Sequence, residues 1–274
     1  GQFRNGCHDP HRRAGKTPLI TVVAASDMLT QQGARFFTQA APANINFVAA
    51  GVKTLTDMGI QNVALIYLDD AWGQSYAKLY PPKIAEAGLQ VVAQEPFAPQ
   101  QKEFVTLLNK VKATKPDGIL LVAETELAVP LLKQIHEIMP DVPVMETGGT
   151  IPEEALKLAP EAAEGLVTLT RAGKETPEIK AFKERFKAEY GEEANSFHFS
   201  GRDGIYLVMD AMIRAGSVTD KEKINDAIRG SNFTGLIGTY TFNEKGENSL
   251  TGNRAIIKNG QVIYQSVDEP LPQS

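Results

Sequence analysis

The 274 residues are 42% hydrophobic and 22% charged, with 23 Gly and 16 Pro, a composition that excludes intrinsic disorder and collagen-like structure. A chain of this length buries roughly three quarters of its unfolded surface, enough for one large core or two small ones. Lys plus Arg number 28 against 33 Asp plus Glu, a formal net charge of -5, which argues against nucleic acid or an anionic membrane surface as the main partner.

The opening, residues 1–16, is polar, basic and without periodicity, and reads as an unstructured lead-in. Residue 1 is Gly rather than Met, as in a processed chain or a fragment. The single Cys7 closes no internal disulfide. A metal at Cys7, His8 and His11 would need further ligands, and none lie nearby. Gly15-Lys16-Thr17 is similar to the end of a phosphate loop, but Pro10 stands where that loop needs Gly, and no strand precedes it. No apolar stretch approaches the about 18 residues that a membrane-spanning helix needs.

From Thr17 onward, short apolar runs alternate with amphipathic ones. Leu19–Val23, Val63–Tyr67, Gln90–Ala93, Ile119–Val122, Val142–Met145 and Leu166–Leu169 are apolar on successive residues, as in parallel strands covered on both faces. A helix is expected over about 46–58. Phe104, Leu107, Leu108 and Val111 repeat at i, i+3, i+4 and i+7, and Leu127, Leu131, Leu132 and Ile135 make a second helical stripe. Residues 61–171 thus form a compact unit of alternating strands and helices. Pro177–Tyr190 is a charged amphipathic helix ended by Gly191, followed by helices over about 202–215 and 221–229. Tyr240–Phe242, Ala255–Lys258 and Gln261–Tyr264 read as strands, the last two joined by a two-residue Asn259-Gly260 turn. One upstream strand gives the three later helices too little sheet to pack on, which implies a second α/β lobe most of which is absent.

Candidate functional residues cluster where strands end, the edge at which open α/β sheets place ligands. Val23-Ala24-Ala25-Ser26-Asp27 follows the first strand: its small side chains let a ligand approach the backbone, or it is a plain turn into a helix with Ser26 or Asp27 as cap. Asp69-Asp70-Ala71-Trp72-Gly73-Gln74 follows a buried strand. Capping is the better reading of its Asp pair, and Trp72, the only Trp, suits the wall of a cleft. Glu124 could take an ammonium group or start a helix. Thr147-Gly148-Gly149-Thr150 could offer backbone donors or form an ordinary turn. No nucleophile elbow, zinc-protease motif or dinucleotide fingerprint occurs. His136 reads as solvated and His198 has no partnered nucleophile, so neither an enzyme nor a cofactor is expected.

The order of motifs resembles the periplasmic binding protein type I family, in its leucine/isoleucine/valine-binding branch. The likeness rests on Thr17-Pro18-Leu19-Ile20, Val63 through Gln74, Phe104 to Val111 with Pro116-Asp117-Gly118-Ile119, Ala162-Ala163-Glu164-Gly165, Phe182 to Gly191, Gly201-Arg202-Asp203-Gly204 and Tyr240 through Gly246. Each is weak alone; seven in register over about 250 residues are specific. The resemblance implies an α/β fold of two lobes, each a parallel sheet flanked by helices, with lobe 1 (17–58 and 174–250) incomplete at its N-terminal side and lobe 2 (59–173 and 251–274) whole. Exposed helix faces on a partial lobe would favour self-association.

By position, the family's carboxylate-holding turn matches Val23, Ala24, Ala25 and Ser26, and the aromatic over the ligand matches Trp72. The second contact falls on Glu124, and the acid that pairs an α-ammonium falls near Gly148, beside Thr147. Glu124 then supplies the missing charge, or the ligand lacks an ammonium group. Arg202 could bind a carboxylate or pair with a nearby acid. The resemblance implies an extracytoplasmic solute receptor, periplasmic or tethered to a Gram-positive surface, that closes by hinge motion on an amino acid or small carboxylic acid and docks on the permease subunits of an ABC importer. A ligand sensor of the same fold, signalling to a protein partner, is the alternative.

Overall fold

The computed structural model describes residues 16–25, 30 and 35–272. The lead-in apart from Lys16, with Cys7, His8 and His11, lies outside the described residues, and so do Ser26 and Asp27. In chain order the elements are β1 (Leu19–Thr21), β2 (Phe37–Pro42), α1 (Asn44–Asp57), β3 (Asn62–Leu68), α2 (Ala71–Glu86), β4 (Gln90–Phe97), α3 (Val105–Ala113), β5 (Gly118–Val122), α4 (Thr125–Ile138), β6 (Val144–Glu146), α5 (Pro152–Leu158), α6 (Pro160–Ala163), β7 (Val167–Thr170), α7 (Pro177–Tyr190), α8 (Ser196–Ala215), α9 (Lys221–Arg229), β8 (Phe233–Thr234), β9 (Thr239–Tyr240), β10 (Glu247–Asn248), β11 (Asn253–Lys258) and β12 (Gln261–Ser266). They form two compact units, the described parts of Gly1–Ala43 with Thr176–Leu250, and of Asn44–Glu175 with Thr251–Ser274.

The second unit is built on a sheet of order β12-β11-β7-β6-β5-β3-β4. Strands β3 to β7 run parallel, while β11 is antiparallel to both β7 and β12. Successive side chains on a strand point to opposite faces, and here both faces are covered. Leu120, Val122, Val63 and Leu65 pack with Phe47, Tyr80 and Ile84 of α1 and α2. Ile119, Leu121 and Ile66 pack with Phe104, Leu108 and Leu132 on the other face. The unbroken apolar runs in the sequence follow from this two-sided burial. The β11–β12 turn is as expected: Asn259 (φ 51) and Gly260 (φ 67) both take the left-handed conformation that a tight hairpin requires. Their N–H groups donate to the Glu164 carboxylate at 2.6 and 3.2 Å.

Helix α1 corrects the expected division at residue 58. Its Phe47, Val48 and Leu55 are buried among Leu65, Tyr80 and Ile84, so its apolar face is covered by the sheet of the second unit. Arg254 of β11, fully buried, donates to Asp57 at 2.7 Å. The Asp57 carboxyl is opposed by burial, but hydrogen bonds from Arg254 and Lys53 outweigh that and hold it below the ordinary range. Strand β6 starts two residues later than expected, after Pro143, which has no N–H to give the ladder.

The first unit contains a parallel sheet of order β1-β2-β10 and the β8–β9 hairpin. β1 stops at Thr21 and is half-buried, unlike the doubly covered strand to Val23 expected from its apolar run. Among the described strands it pairs with β2 alone, so one side has no described neighbour. β2 was not anticipated: Thr38, Gln39 and Pro42 break any apolar run, yet all six of its residues are buried. Helix α7 is as expected, capped by Thr176 and closed by Gly191 at φ 74. Helix α8 begins six residues earlier than the apolar stripe suggested, because Asn195 accepts from the N–H of Phe197 while His198 Nδ1 accepts from the N–H of Asn195. Ile205, Met209 and Ile213 line an exposed stripe on the same helix.

Arg254 is the test of how the second unit holds α1. Substitution Arg254→Ala leaves Asp57 without its buried partner and is expected to lower unfolding stability by about 3 kcal/mol, read from the urea midpoint; a change under about 0.5 kcal/mol, the range of ordinary surface substitutions, would show that the ion pair does not fasten the helix.

Candidate functional site

The parallel strands of the second unit end at one edge, and the residues following β3, β5 and β6 meet there. Asp70 caps α2, accepting from the Gly73 N–H at 2.8 Å, while Asp69 accepts from Gln74 Nε2 at 2.9 Å. The Asp pair therefore organises the helix start. Gly73 must be glycine, since a Cβ would lie 1.9 Å from the Leu68 carbonyl oxygen. The half-buried Trp72 is set edge-on to Tyr76 (5.4 Å between ring centres), and Tyr76 stacks on Tyr80 at 5.6 Å. The buried Tyr80 hydroxyl lies 2.9 Å from Thr147 Oγ1. A Cβ at Gly149 would lie 2.7 Å from the Trp72 ring. Trp72, Tyr76, Tyr80, Thr147 and Gly149 thus form a closed circuit of contacts.

Glu146, the last residue of β6, underlies this circuit. Its carboxylate is fully buried and accepts from the N–H groups of Gly148 (2.8 Å), Gly149 (2.8 Å) and Thr150 (3.2 Å) and from Thr168 Oγ1 (2.5 Å). Burial pushes its carboxyl up to about 7, against the four donors that favour the charged form. The turn is pinned further by Thr150 Oγ1 on the Ala123 carbonyl (3.3 Å) and by the Ile151 N–H on Thr125 Oγ1 (2.8 Å). Gly148 has φ +95, and a Cβ there would meet the Phe47 ring at 2.7 Å. The sequence reading did not single out Glu146. The available signal was an acid between a buried apolar run and Gly-Gly, a charge that burial forbids without donors.

Of the expected residues, Trp72, Thr147 and Gly148 are brought together by these contacts. Glu124 stands at the end of β5, exposed, at the N-cap of α4; its side chain makes no capping hydrogen bond. The Gly148 position carries no acid. Glu146 lies two residues away, but its oxygens face their own turn.

In the first unit, Val23 and Ala24 are exposed and Ala25 is buried. Thr21 Oγ1 donates to the Ala24 carbonyl at 3.1 Å. Gly204 of α8 lets the end of β1 approach, since a Cβ would lie 2.3 Å from a Val22 methyl group. Arg202 takes the pairing role: it donates to Asp203 at 3.0 Å and its guanidinium lies 4.1 Å from the Tyr206 ring centre. Asp203, fully buried, also accepts from the Ile237 N–H (3.1 Å) and the Tyr240 hydroxyl (3.2 Å). His198 is used by its cap and packs on Phe186. Among the described residues no cluster of three potential metal ligands occurs, and no helix is long and apolar enough to cross a membrane.

The periplasmic binding protein family model matches residues 12–257, and the chain belongs to that family. A leucine-, isoleucine-, valine-, threonine- and alanine-binding protein of Pseudomonas aeruginosa is 25% identical over 231 residues, 84% of this chain and 62% of the relative. The chain thus spans about three fifths of the length of that curated relative. Among solved structures, the leucine-binding protein LivK of Thermotoga maritima superposes with TM-score 0.82 at 25% identity, covering 93% of this chain and 74% of that one. A solute-binding protein of an ABC transporter from R. palustris, solved with benzoate, gives TM-score 0.83 at 18% identity over 96% and 74% of the two chains, a likeness of fold.

The circuit around Trp72 is open to a direct test. In Gly149→Ala the new methyl collides with the indole and with the Ala123 carbonyl, so stability is expected to fall by about 1–3 kcal/mol, with a shift in the emission of this single Trp. Unchanged emission and stability would mean that ring and turn are not in contact.

Proposed function

Taking the chain as a periplasmic binding protein, we propose that it is the extracytoplasmic receptor of an ABC importer for a small amino acid, held by closure of its two lobes. The observation that carries this reading is Trp72 at the end of β3, its ring against the Gly149 turn, at the sheet edge where such folds place ligands. The amino-acid preference is supported by Glu124, an exposed carboxylate at that edge with no capping bond of its own, and by the likeness to the amino-acid-binding protein of Pseudomonas aeruginosa. In this reading Trp72 covers the apolar part of the ligand, Glu124 pairs its ammonium group, and Val23, Ala24, Ala25 and Ser26 meet its carboxylate. Thr147 and Gly148 shape the turn beneath, and Arg202 braces Asp203, which ties α8 to Ile237 and Tyr240. The closed form then engages the permease subunits of the transporter; neither a cofactor nor nucleic acid enters.

Titration of the chain with L-leucine, L-isoleucine, L-alanine, L-threonine and a set of small carboxylic acids, followed by Trp72 emission and melting temperature, tests the proposal. One class is expected to saturate, adding about 2.7 kcal/mol of stability at 100 times its dissociation constant. Glu124→Gln is expected to weaken an amino-acid ligand about tenfold or more and to leave an acid without an amine unaffected. Saturation by the carboxylic acids alone would refute the role of Glu124, and silence across both sets would refute the receptor reading.

A further inference from the structure

Glu146 is a fully buried carboxylate that, among the described residues, meets donors but no cation. From β7 it meets the Thr168 hydroxyl, and from its own turn the N–H groups of Gly148, Gly149 and Thr150. From α2 comes Tyr80, joined to the turn through Thr147 and itself raised well above its ordinary range by burial. Phe47 of α1, with Leu120 of β5, makes that side of the sheet apolar. The four hydrogen bonds divide unequally between the two oxygens. Oε1 accepts from Gly149 alone; Oε2 accepts from Gly148, Thr150 and Thr168.

We propose that Glu146 is the positioning residue of the Thr147–Thr150 turn, and that a proton added at Oε2 releases the Gly148 and Thr150 N–H groups and loosens the wall against which Trp72 packs. The proton comes from solvent and remains on Oε2. The new O–H donates to Thr168 Oγ1, whose own hydrogen swings to the Leu169 carbonyl, already 3.1 Å away. A carboxylic hydroxyl is a poor acceptor, so the two N–H bonds to Oε2 weaken while the Gly149 bond to Oε1 survives. Burial pushes the carboxyl up to about 7, which sets this exchange in an ordinary extracytoplasmic pH range. Loss of the turn removes one side of the Trp72 circuit, and ligand binding weakens as pH falls. That last step rests on the amino-acid receptor reading; the motion of the turn does not.

The experiment follows Trp72 emission in the ligand-free chain from about pH 5 to about pH 9. A sigmoidal change centred within about one unit of 7 is expected. In Glu146→Gln, whose amide is of the same size and does not titrate, the change is expected to vanish. In Thr168→Val, which deletes a donor to the ionised form, the midpoint is expected to rise. A second series measures L-leucine affinity at about pH 8 and about pH 6, with a loss of about threefold or more expected for the native chain and none for Glu146→Gln. An emission change that persists in Glu146→Gln, or no change in the native chain, overturns the proposal. An intact, Glu146-dependent emission change with no response to leucine supports the turn mechanism and refutes leucine as ligand.

Discussion

A charge buried without a counter-charge must be met by hydrogen-bond donors or give up its ionisation. Glu146 is met by three consecutive backbone N–H groups of the turn that follows it, and by Thr168 of the neighbouring strand. This one interaction fixes how the chain leaves β6. The turn in turn decides where Gly149 lies, hence where the Trp72 ring rests, and the stack through Tyr76 and Tyr80 returns to Thr147. The glycines are consequences of the same packing. Gly148 must pass Phe47, and Gly149 must pass both Trp72 and the Ala123 carbonyl. This buried polar cluster thus shapes a loop at the carboxyl edge of a parallel sheet, where a core has no need of such precision.

The first unit uses the same device with different residues. Asp203 gathers Arg202, the Ile237 N–H and the Tyr240 hydroxyl, and Gly235 passes so close that a Cβ would overlap the carboxylate. Arg202 is thereby a structural partner of Asp203 on the same helix, and lies over the Tyr206 ring, before any ligand is considered. In each unit a buried acid organises the backbone near residues proposed above as ligand contacts. The match over residues 12–257 shows membership of the periplasmic binding protein family, and within each unit a buried carboxylate sets the geometry of the backbone around it.

Much of the second unit was legible in the sequence because two-sided burial makes a strand apolar on every residue. β3 and β5 read as Asn-Val-Ala-Leu-Ile-Tyr-Leu and Gly-Ile-Leu-Leu-Val, with no charged residue from Val63 to Leu68 or from Ile119 to Val122. Helix α7 was legible from its amphipathic pattern and the closing Gly191, whereas the caps of α7 and α9, Thr176 and Asp220, emerged only with their side-chain bonds to the first turn. β2 was not, because Thr38 and Gln39 are polar and buried together, which no periodicity announces. The true start of α8 depended on a reciprocal bond between Asn195 and His198, not on its apolar stripe. The partner of α1 was hidden for a different reason: an amphipathic helix states that it needs a sheet, not which one. Trp72 stood out as the only Trp, whereas Glu146 looked like the end of an apolar run.

The central claim, that the Glu146 carboxylate holds the Thr147–Thr150 turn, is tested most directly by amide hydrogen exchange at Gly148, Gly149 and Thr150. The three N–H groups are expected to be protected at about pH 8, with Glu146→Gln abolishing most of the protection at Gly148 and Thr150, the two backbone donors to Oε2, and leaving the core amides of β3 and β5 unchanged. Equal protection in the native chain and in Glu146→Gln would contradict the account.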